Sequence, residues 1–126
     1  MSASTLEVGK KLVELCRKNR NVEAVDSLYS PDIHSVEAMS MPNMPKEMKG
    51  IKDVRKKNVD WIANHDIHSN EIMGPFPNGD RFIVHAKYDV TAKSGPMAGK
   101  RMQIEEGCLY TVKDGKIVKE EFFYDM

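Results

Sequence analysis

Two adjacent pairs of glutamates near the end of the chain are the residues whose type and spacing most directly suggest chemistry. Glu105 and Glu106 precede a Lys-Asp-Gly turn at 113–115, and Glu120 and Glu121 follow it, each pair within a strand-like run. Successive side chains of a strand point to opposite faces, so one glutamate of each pair must face inward. A carboxylate on an apolar sheet face costs free energy unless it is partnered or used.

The length of the turn decides which residues of this hairpin lie opposite one another. A two-residue turn would set Cys108 opposite Glu121, whereas a three-residue turn, with Gly115 left-handed in a bulge, would set Cys108 opposite Glu120. We favour the second, because it brings Glu106 and Glu120 onto the face that carries most of the apolar residues. The other members of that face are Met102, Ile104, Cys108, Tyr110, Val112, Val118, Phe122 and Tyr124.

Three carboxylates are therefore candidate catalytic groups. Glu106 and Glu120, if both face inward, could share a proton and supply one acid and one base, or hold a water molecule for hydrolysis. Glu37 follows another strand-like run, and a carboxylate in apolar surroundings has the raised pKa that suits removal of a proton beside a carbonyl. The alternatives are a rim ion pair with a lysine for Glu37, and an outer-face position beside lysines for one member of each glutamate pair.

Aromatic, thiol and imidazole side chains supply the candidate substrate-binding residues. A buried tyrosine hydroxyl needs a partner, which could be a carboxylate or a substrate carbonyl, so core packing and binding are both open. A cysteine without a base beside it is typical of an inert core thiol, and a strand histidine could act as an acid or base in a pocket. The candidates are His34, Trp61, Tyr88, Cys108, Tyr110, Phe122 and Tyr124.

Composition excludes several classes of protein. Nineteen basic and nineteen acidic residues cancel, so a basic footprint for nucleic acid is absent. No apolar run approaches the roughly 18 residues of a membrane span, and the N-terminus lacks the apolar core of a signal peptide. Two cysteines make neither a disulfide framework nor a zinc site, and His65 and His68 lack a third ligand in sequence, so no metal site is predicted. We expect a cytoplasmic protein with one domain over 1–126.

The order of elements predicts an α+β fold. Hydrophobic periodicity predicts helices at about 5–19, 22–28 and 51–65. Alternation predicts strands at 32–38, 68–73 and 81–92, with a turn at 74–79, before the hairpin at 102–124. The segment 39–49 contains four methionines and two prolines and is interpreted as an apolar flap. A curved antiparallel sheet wrapped over three helices would bury these faces and leave a cavity at one end.

This element order resembles the SnoaL-like branch of the nuclear-transport-factor-2-like superfamily, which includes polyketide cyclases, ketosteroid isomerases and small epoxide hydrolases. In residues, the resemblance lies mainly in 110–125 (YTVKDGKIVKEEFFYD), and more weakly in 28–33 (LYSPDI) and Gly50-Ile51. It implies a cone-shaped, cystatin-like α+β barrel, usually a homodimer through the outer sheet face. On that face Ile83, Leu109 and Phe123 would be left exposed in a monomer.

The resemblance also implies positions for functional residues. The general-base aspartate of the isomerases falls at Glu37, whereas their hydrogen-bonding tyrosine falls near Val13. The second acid, or the histidine of the cyclases, falls near Cys108, and the last-strand aspartate of the cyclases falls at Phe122. Neither complete catalytic set is present, which argues against steroid isomerase or aldol cyclase chemistry by the known machinery.

Two hypotheses from different classes follow. The first is an enzyme that needs no cofactor and acts on a small, mostly apolar carbonyl or hydroxyl compound by isomerisation, cyclisation, dehydration or hydrolysis. Its ligand would enter under the flap, and the chain has no glycine-rich phosphate loop for an organic cofactor. The second is a non-catalytic ligand-binding or dimerisation module on the same fold, which the incomplete catalytic sets favour.

Overall fold

The computed structural model describes residues 4–41 and 44–125, which form three helices and six strands. The order of the elements agrees with the prediction, with one short strand added in the segment 39–49. In chain order the elements are α1 Thr5–Arg17, α2 Asn21–Leu28, β1 Tyr29–Val36, β2 Glu47–Lys49, α3 Ile51–Asn64, β3 His65–Asn78, β4 Arg81–Ala92, β5 Arg101–Lys113 and β6 Lys116–Phe123. No described helix is both long and apolar enough to cross a membrane.

The six strands form one curved, unclosed sheet in the order β2-β1-β6-β5-β4-β3. Strands β3 to β6 are an antiparallel meander, whereas β1 pairs with β6 in parallel and with β2 in antiparallel orientation. The three helices cover the inner face, and the core lies between them and the sheet. The prediction of an α+β fold with a curved sheet over three helices is confirmed.

Helix α1 begins as its sequence predicts. The Ser4 hydroxyl accepts a hydrogen bond from the Glu7 backbone N–H at 3.1 Å, which satisfies one of the free donors of the first turn. The helix buries Val8, Leu12 and Val13 against the sheet. Gly9 lets it lie directly on Pro75 of β3, because a Cβ there would come within 2.7 Å of the proline Cβ.

The hairpin of β5 and β6 has a register that neither predicted turn gives. Its turn has two residues, Asp114 and Gly115, both with positive φ. An irregularity beside Thr111 and Val112 then shifts the pairing by one more residue, so that Cys108 lies opposite Phe122. Both proposed partners of Cys108 are therefore wrong. The extra residue keeps the even-numbered residues on the inner face, except that fully buried Ile117 takes the place predicted for Val118.

Strand β3 is longer than predicted. The segment 74–79 was expected to be a turn, but the strand continues through a cis Gly74–Pro75 peptide to Asn78. The pairing with β4 is irregular between Met73 and Phe76. Because β3 is the edge strand of the sheet, a proline at this irregularity removes no ladder hydrogen bond that a central strand would require. The turn lies instead at Gly79–Asp80.

The described residues of the segment 39–49 form backbone hydrogen bonds with one another and with the chain beside the sheet. The backbone N–H of Glu37 donates a hydrogen bond to the Lys46 carbonyl at 2.7 Å. The backbones of Met41 and Met44 pair in an isolated antiparallel β-bridge. Residues 42 and 43 lie outside the described part of the chain. The methionines Met39, Met41, Met44 and Met48 are all half-buried, which agrees with an apolar segment that lies against the body.

Candidate functional site

Three strands and one helix bring the candidate carboxylates to one end of the inner face. The parallel pairing of β1 and β6 places Ser35 opposite Glu120. The antiparallel pairing of β4 and β5 places Glu106 opposite the buried Ala86. The prediction that Glu106 and Glu120 both face inward is confirmed, while their catalytic roles stay predictions. Helix α3 crosses this end of the sheet and contributes Lys57.

Glu37 is held by two side chains from other elements. The Lys57 ammonium donates a hydrogen bond to its Oε1 at 2.9 Å, and the Tyr124 hydroxyl donates to its Oε2 at 3.0 Å. The side chain is 13% exposed, so the carboxylate is desolvated on most sides and reaches solvent at one edge. Burial, together with the negative charge of Glu37, raises the pKa of Tyr124, which therefore stays a hydrogen-bond donor.

Lys57 is the functional candidate that the sequence reasoning missed. Its side chain is only 11% exposed, and its Nζ also donates to the Ser35 hydroxyl at 2.7 Å. The Nζ lies 5.0 Å from the centre of the Phe122 ring, a cation–π distance. The sequence contained a signal for this position, because residue 57 is three after Val54 and four before Trp61, on the buried side of the helix.

Glu120 is the most deeply buried acid of the described chain. It is 1% exposed, and neither carboxylate oxygen completes a hydrogen bond with the described residues, although Tyr29 and Ser35 lie nearby. Burial raises the pKa of Glu120, and the Lys57 charge and the Tyr29 hydroxyl oppose that rise without cancelling it. A carboxyl in such surroundings is stable in its protonated form.

Glu106 lies beside Cys108 and titrates near neutrality. The Cys108 thiol donates to its Oε1 with a sulfur–oxygen distance of 3.7 Å. Burial, followed by repulsion from Glu37, raises the pKa of Glu106 to about 7, while Cys108 and Lys57 act in the opposite direction. Glu120 adds a smaller upward contribution, so Glu106, Glu120 and Glu37 form one electrostatically connected group.

Glu105 and Glu121, the other members of the two glutamate pairs, point away from the face of Glu106 and Glu120, as the alternative interpretation expected. Glu105 accepts a hydrogen bond from His85 at 2.7 Å and lies 3.7 Å from the Lys87 ammonium. Glu121 pairs with Lys119 at 3.0 Å. These contacts are typical of solvated ion pairs on a sheet surface, which contribute little to stability.

An open cleft of about 310 Å³ adjoins this group of acids. It includes three predicted site residues, Glu37, Phe122 and Tyr124. Its lining consists of Val36, Glu37, Ala38, Lys46, Glu121, Phe122, Phe123 and Tyr124. Glu106 and Glu120 do not line it, so they lie behind Glu37 and Phe122 rather than in direct reach of a ligand.

A second cleft of similar size, about 300 Å³, lies between α1 and β3. Its charged residues are Lys10, Glu14, Arg17 and Lys18, and Arg17 is engaged by the Ile72 carbonyl at 2.8 Å. Because no buried acid and no predicted site residue line this cleft, the chemistry of the molecule favours the cleft at Glu37.

Several predicted substrate-binding residues lie in the core instead. Tyr110 stacks on Phe82 with ring centres 4.9 Å apart, and Cys108 is 3% exposed. Burial raises the pKa of the Cys108 thiol well above its usual range, which makes it a poor nucleophile. Tyr88 and Trp61 contact each other edge to face at 5.4 Å, and neither lines the cleft at Glu37.

His34 does not line the cleft at Glu37, and its role in binding stays a prediction. Strand β1 buries Ile33 and Ser35 on the inner face, so His34 points to the other side, where its Nε2 lies 3.9 Å from Glu47. In the described part of the chain, no three histidine, cysteine or acidic side chains are grouped so as to hold a metal ion.

Comparison with known proteins identifies the family. The sequence profile of the SnoaL-like domain matches residues 3–124. The chain belongs to the SnoaL-like family. No curated protein matches it. A solved structure from Mesorhizobium loti, of a candidate SnoaL-like polyketide cyclase also described as a carbohydrate phosphatase, is 37% identical over 97% of this chain and 100% of the other, with a TM-score of 0.87.

More distant solved structures share the fold of this SnoaL-like chain. An LEH-like epoxide hydrolase from M. tuberculosis is 13% identical, over 96% of this chain and 82% of the other, with a TM-score of 0.70. A protein with a ketosteroid isomerase-like fold from Catenulispora acidiphila, in complex with trimethylamine, is 14% identical, over 100% of this chain and 88% of the other, with a TM-score of 0.66. At these identities the similarity concerns architecture alone.

Proposed function

We propose that this SnoaL-like protein binds a small, mostly apolar organic molecule with a carbonyl or hydroxyl group and transfers a proton to or from it. The observation that carries the proposal is Glu37, a carboxylate on the lining of a cleft, backed by Glu106 and Glu120, whose pKa values burial raises. A base and an acid held apart in pKa are what proton-transfer catalysis requires at neutral pH.

The roles within the proposed site follow from exposure. Glu37 is the carboxylate that touches the ligand and removes a proton from the carbon beside a carbonyl. The Tyr124 hydroxyl lies within 3.0 Å of Glu37 and can donate to a ligand oxygen in its place. Glu106, with a pKa of about 7, stores a proton behind them. Isomerisation and dehydration can begin with this proton removal, whereas in a hydrolysis Glu37 would instead take the proton of an attacking water molecule. None of these steps requires an organic cofactor.

A non-catalytic ligand-binding protein is the second candidate. It is favoured by the apolar or thiol side chains Val13, Cys108 and Phe122 at positions where the family resemblance implies functional groups. The cleft is also open, and Glu106 and Glu120 do not line it. Against this candidate stands the cost of the buried Glu120 carboxyl, neither of whose oxygens completes a hydrogen bond with the described residues.

A two-step experiment separates the two candidates. Keto acids, cyclic ketones and small lipophilic alcohols are screened by thermal shift, and each binder is assayed for turnover by mass spectrometry. We expect turnover that falls by about 10²–10⁴-fold in Glu37→Gln, the range for loss of a general base. The matched control is Glu105→Gln, because Glu105 lies on the outer face beside His85 and should retain full activity.

The outcomes of this screen separate the two candidates and test the role of Glu37 and the position of the ligand site. Binding without turnover of any binder supports the non-catalytic protein. Turnover that is equal in Glu37→Gln and in wild type removes Glu37 from the chemistry and overturns the proposed mechanism. Binders whose affinity is unchanged by both Glu37→Gln and Phe122→Ala would show that the ligand site is elsewhere.

We also propose that two copies of the chain associate through the outer face of the sheet. Ile83, Phe76 and Phe123 are 48%, 59% and 57% exposed, and Leu109 lies opposite Ile83 on the neighbouring strand. An apolar patch of this kind is costly in water and is typical of a contact surface. A second copy is the occupant that fits, because a chain with zero formal net charge does not repel its own copy.

A further inference from the structure

Lys57 carries positive charge into a region where three carboxylates meet. It hydrogen-bonds Glu37 at 2.9 Å, and its charge lowers the pKa of both Glu106 and Glu120 against the effect of burial. A nearly buried ammonium loses much of its hydration, so its position is stable only with good partners. The arrangement therefore gives Lys57 a specific electrostatic task in addition to packing.

We propose that Lys57 is the positioning residue that fixes the division of roles among the three carboxylates. Its ammonium pairs with Glu37 at the edge of the cleft, and its positive charge eases the release of a proton from Glu106 and Glu120, which burial alone would hold more tightly. This inference rests on the function proposed above, because it assigns how that site is charged. It concerns a residue for which the family resemblance implies no role.

The geometry restricts Lys57 to one orientation. Two of its three N–H donors are engaged, by Ser35 at 2.7 Å and by Glu37 at 2.9 Å. Ser35 is itself 1% exposed on β1, and the Phe122 ring lies under the ammonium at 5.0 Å. An exposed lysine samples many rotamers, whereas these partners from β1 and β6 keep the charge of Lys57 at one point between the acids.

The other titratable groups around the acids remain uncharged near neutral pH. These are the thiols of Cys16 on α1 and Cys108 on β5, the hydroxyls of Tyr29, Tyr88 and Tyr110 on the first, fourth and fifth strands, and the hydroxyl of Tyr124, which donates to Glu37. Burial raises the pKa of each of them, to about 12 in the case of Cys16. Lys57 is therefore the cation that balances Glu37, Glu106 and Glu120 within the described residues.

The test is the titration of individual glutamates in the intact protein. Carboxyl ¹³C shifts are followed by NMR from about pH 4 to 9, with the Glu106 signal assigned from a Glu106→Gln spectrum. In wild type we expect a Glu106 midpoint near 7. In Lys57→Met, which keeps the aliphatic contact with Phe122 and removes the charge, the midpoint is expected to move upward, because Lys57 lowers the pKa of Glu106.

Two further variants separate the effect of the Lys57 charge from the effect of its hydrogen bond to Ser35 and from the effect of replacing any lysine of this helix. Lys57→Gln keeps a donor for Ser35 but has no charge, so its Glu106 midpoint should rise as in Lys57→Met. Lys56→Met is the matched control, because Lys56 is the preceding residue of the same helix and pairs with Asp60 in solvent. Its midpoint should equal that of wild type. Both neutral variants of Lys57 should fold at about pH 5, where buried carboxyls hold their protons.

Each possible result decides the matter. An unchanged or lower Glu106 midpoint in Lys57→Met, a wild-type midpoint in Lys57→Gln, or failure of both variants to fold at about pH 5 would overturn the role of Lys57. The titration needs no substrate. A protein without turnover can therefore still support the charge-setting role, and an active protein can still refute it.

Discussion

Glu105 and Glu106 are adjacent in sequence and differ in everything that governs their chemistry. Glu105 accepts from His85 on the exposed outer face, whereas Glu106 lies beside Cys108 on the inner face with a pKa raised to about 7. Alternation along the strand places the two side chains on opposite faces, and burial of the inner one raises its pKa. Glu105 can therefore serve as the control for Glu106.

The stability of the protein should depend on pH through Glu106. Its pKa is higher in the folded protein than the ordinary 4.5, so the folded state binds the proton more tightly than the unfolded chain. Stability is then fully present below about pH 4.5 and falls as pH rises to about 7, by about 3 kcal/mol for this residue alone. In Glu106→Gln this decrease should be much smaller, as measured by urea unfolding at several pH values.

The control for this prediction is Glu105→Gln. Its side chain is on the outer face, so the variant should retain the wild-type loss of stability between about pH 4.5 and 7. Glu106→Gln and wild type should differ little at the acidic end, because glutamine resembles a protonated glutamate in shape. Equal pH profiles for Glu106→Gln and wild type would refute the perturbed titration of Glu106.

At this scale the sequence predicted the acids and missed their partner. Glu37, Glu106 and Glu120 were identified because carboxylates on apolar strand faces are conspicuous. A lysine in a helix is usually solvated, so the sequence indicates that Lys57 is buried only through its spacing from Val54 and Trp61. His34 does not line the cleft at Glu37, and its binding role stays a prediction.

Among the elements, the hairpin shows why register is harder to predict than the existence of a strand. Both predicted turn lengths assumed regular pairing beyond the turn, but the irregularity near Val112 adds one residue to β6. That residue restores the inward direction of Glu120, which a two-residue turn alone would have reversed. A bulge depends on the fit of the whole sheet to the helices, so the local sequence does not specify it.

The contact between α1 and β3 predicts that a glycine-to-alanine substitution in α1 lowers the stability of the protein. Replacing a helix glycine by alanine normally stabilises by about 1 kcal/mol. In Gly9→Ala, however, the new methyl group would lie 2.7 Å and 2.9 Å from the Cβ and Cγ of Pro75. We expect this crowding to separate the helix from the strand and to destabilise the protein by about 1–3 kcal/mol, as measured by denaturant unfolding.

The comparison for Gly9 is Gly107→Ala on β5. A methyl group at residue 107 would find its nearest neighbour, the Phe123 Cβ, at 4.0 Å, so it should be accommodated with little change in stability. A Gly9→Ala protein that is as stable as wild type, or more stable, would contradict the close approach of α1 to Pro75.

For the whole molecule, the family resemblance gave the architecture and left the activity open. The α+β order and the curved sheet were predicted because helical and strand periodicities segregate clearly along the chain. The sequence predicts a cavity at one end of the sheet but not its position or lining, because the cleft is formed by β1, β6 and the segment that follows Val36, which meet only in three dimensions. The same architecture carries different functions in its relatives, so the site must be tested directly.

Association of two copies is a prediction about the outer face. Light scattering of the wild-type protein should give the mass of a dimer. Ile83→Glu places a charge at the centre of the apolar patch and should shift the mass to that of the 14.3 kDa monomer. Gln103→Glu makes the same charge change on β5 opposite Asp89, away from the patch, and should leave the dimer intact. A monomeric wild-type protein would contradict the proposed association.

Glu106 and Glu120 form a desolvated pair of carboxyls behind the cleft at Glu37, and burial raises the pKa of both. The most direct test is the ¹³C titration of the glutamate carboxyls in the wild-type protein, with Glu106→Gln and Glu120→Gln used for assignment. We predict a Glu106 midpoint near 7 and a Glu120 midpoint above the ordinary value of 4.5. Midpoints for both residues at about the ordinary value would show two solvated glutamates and would contradict the account.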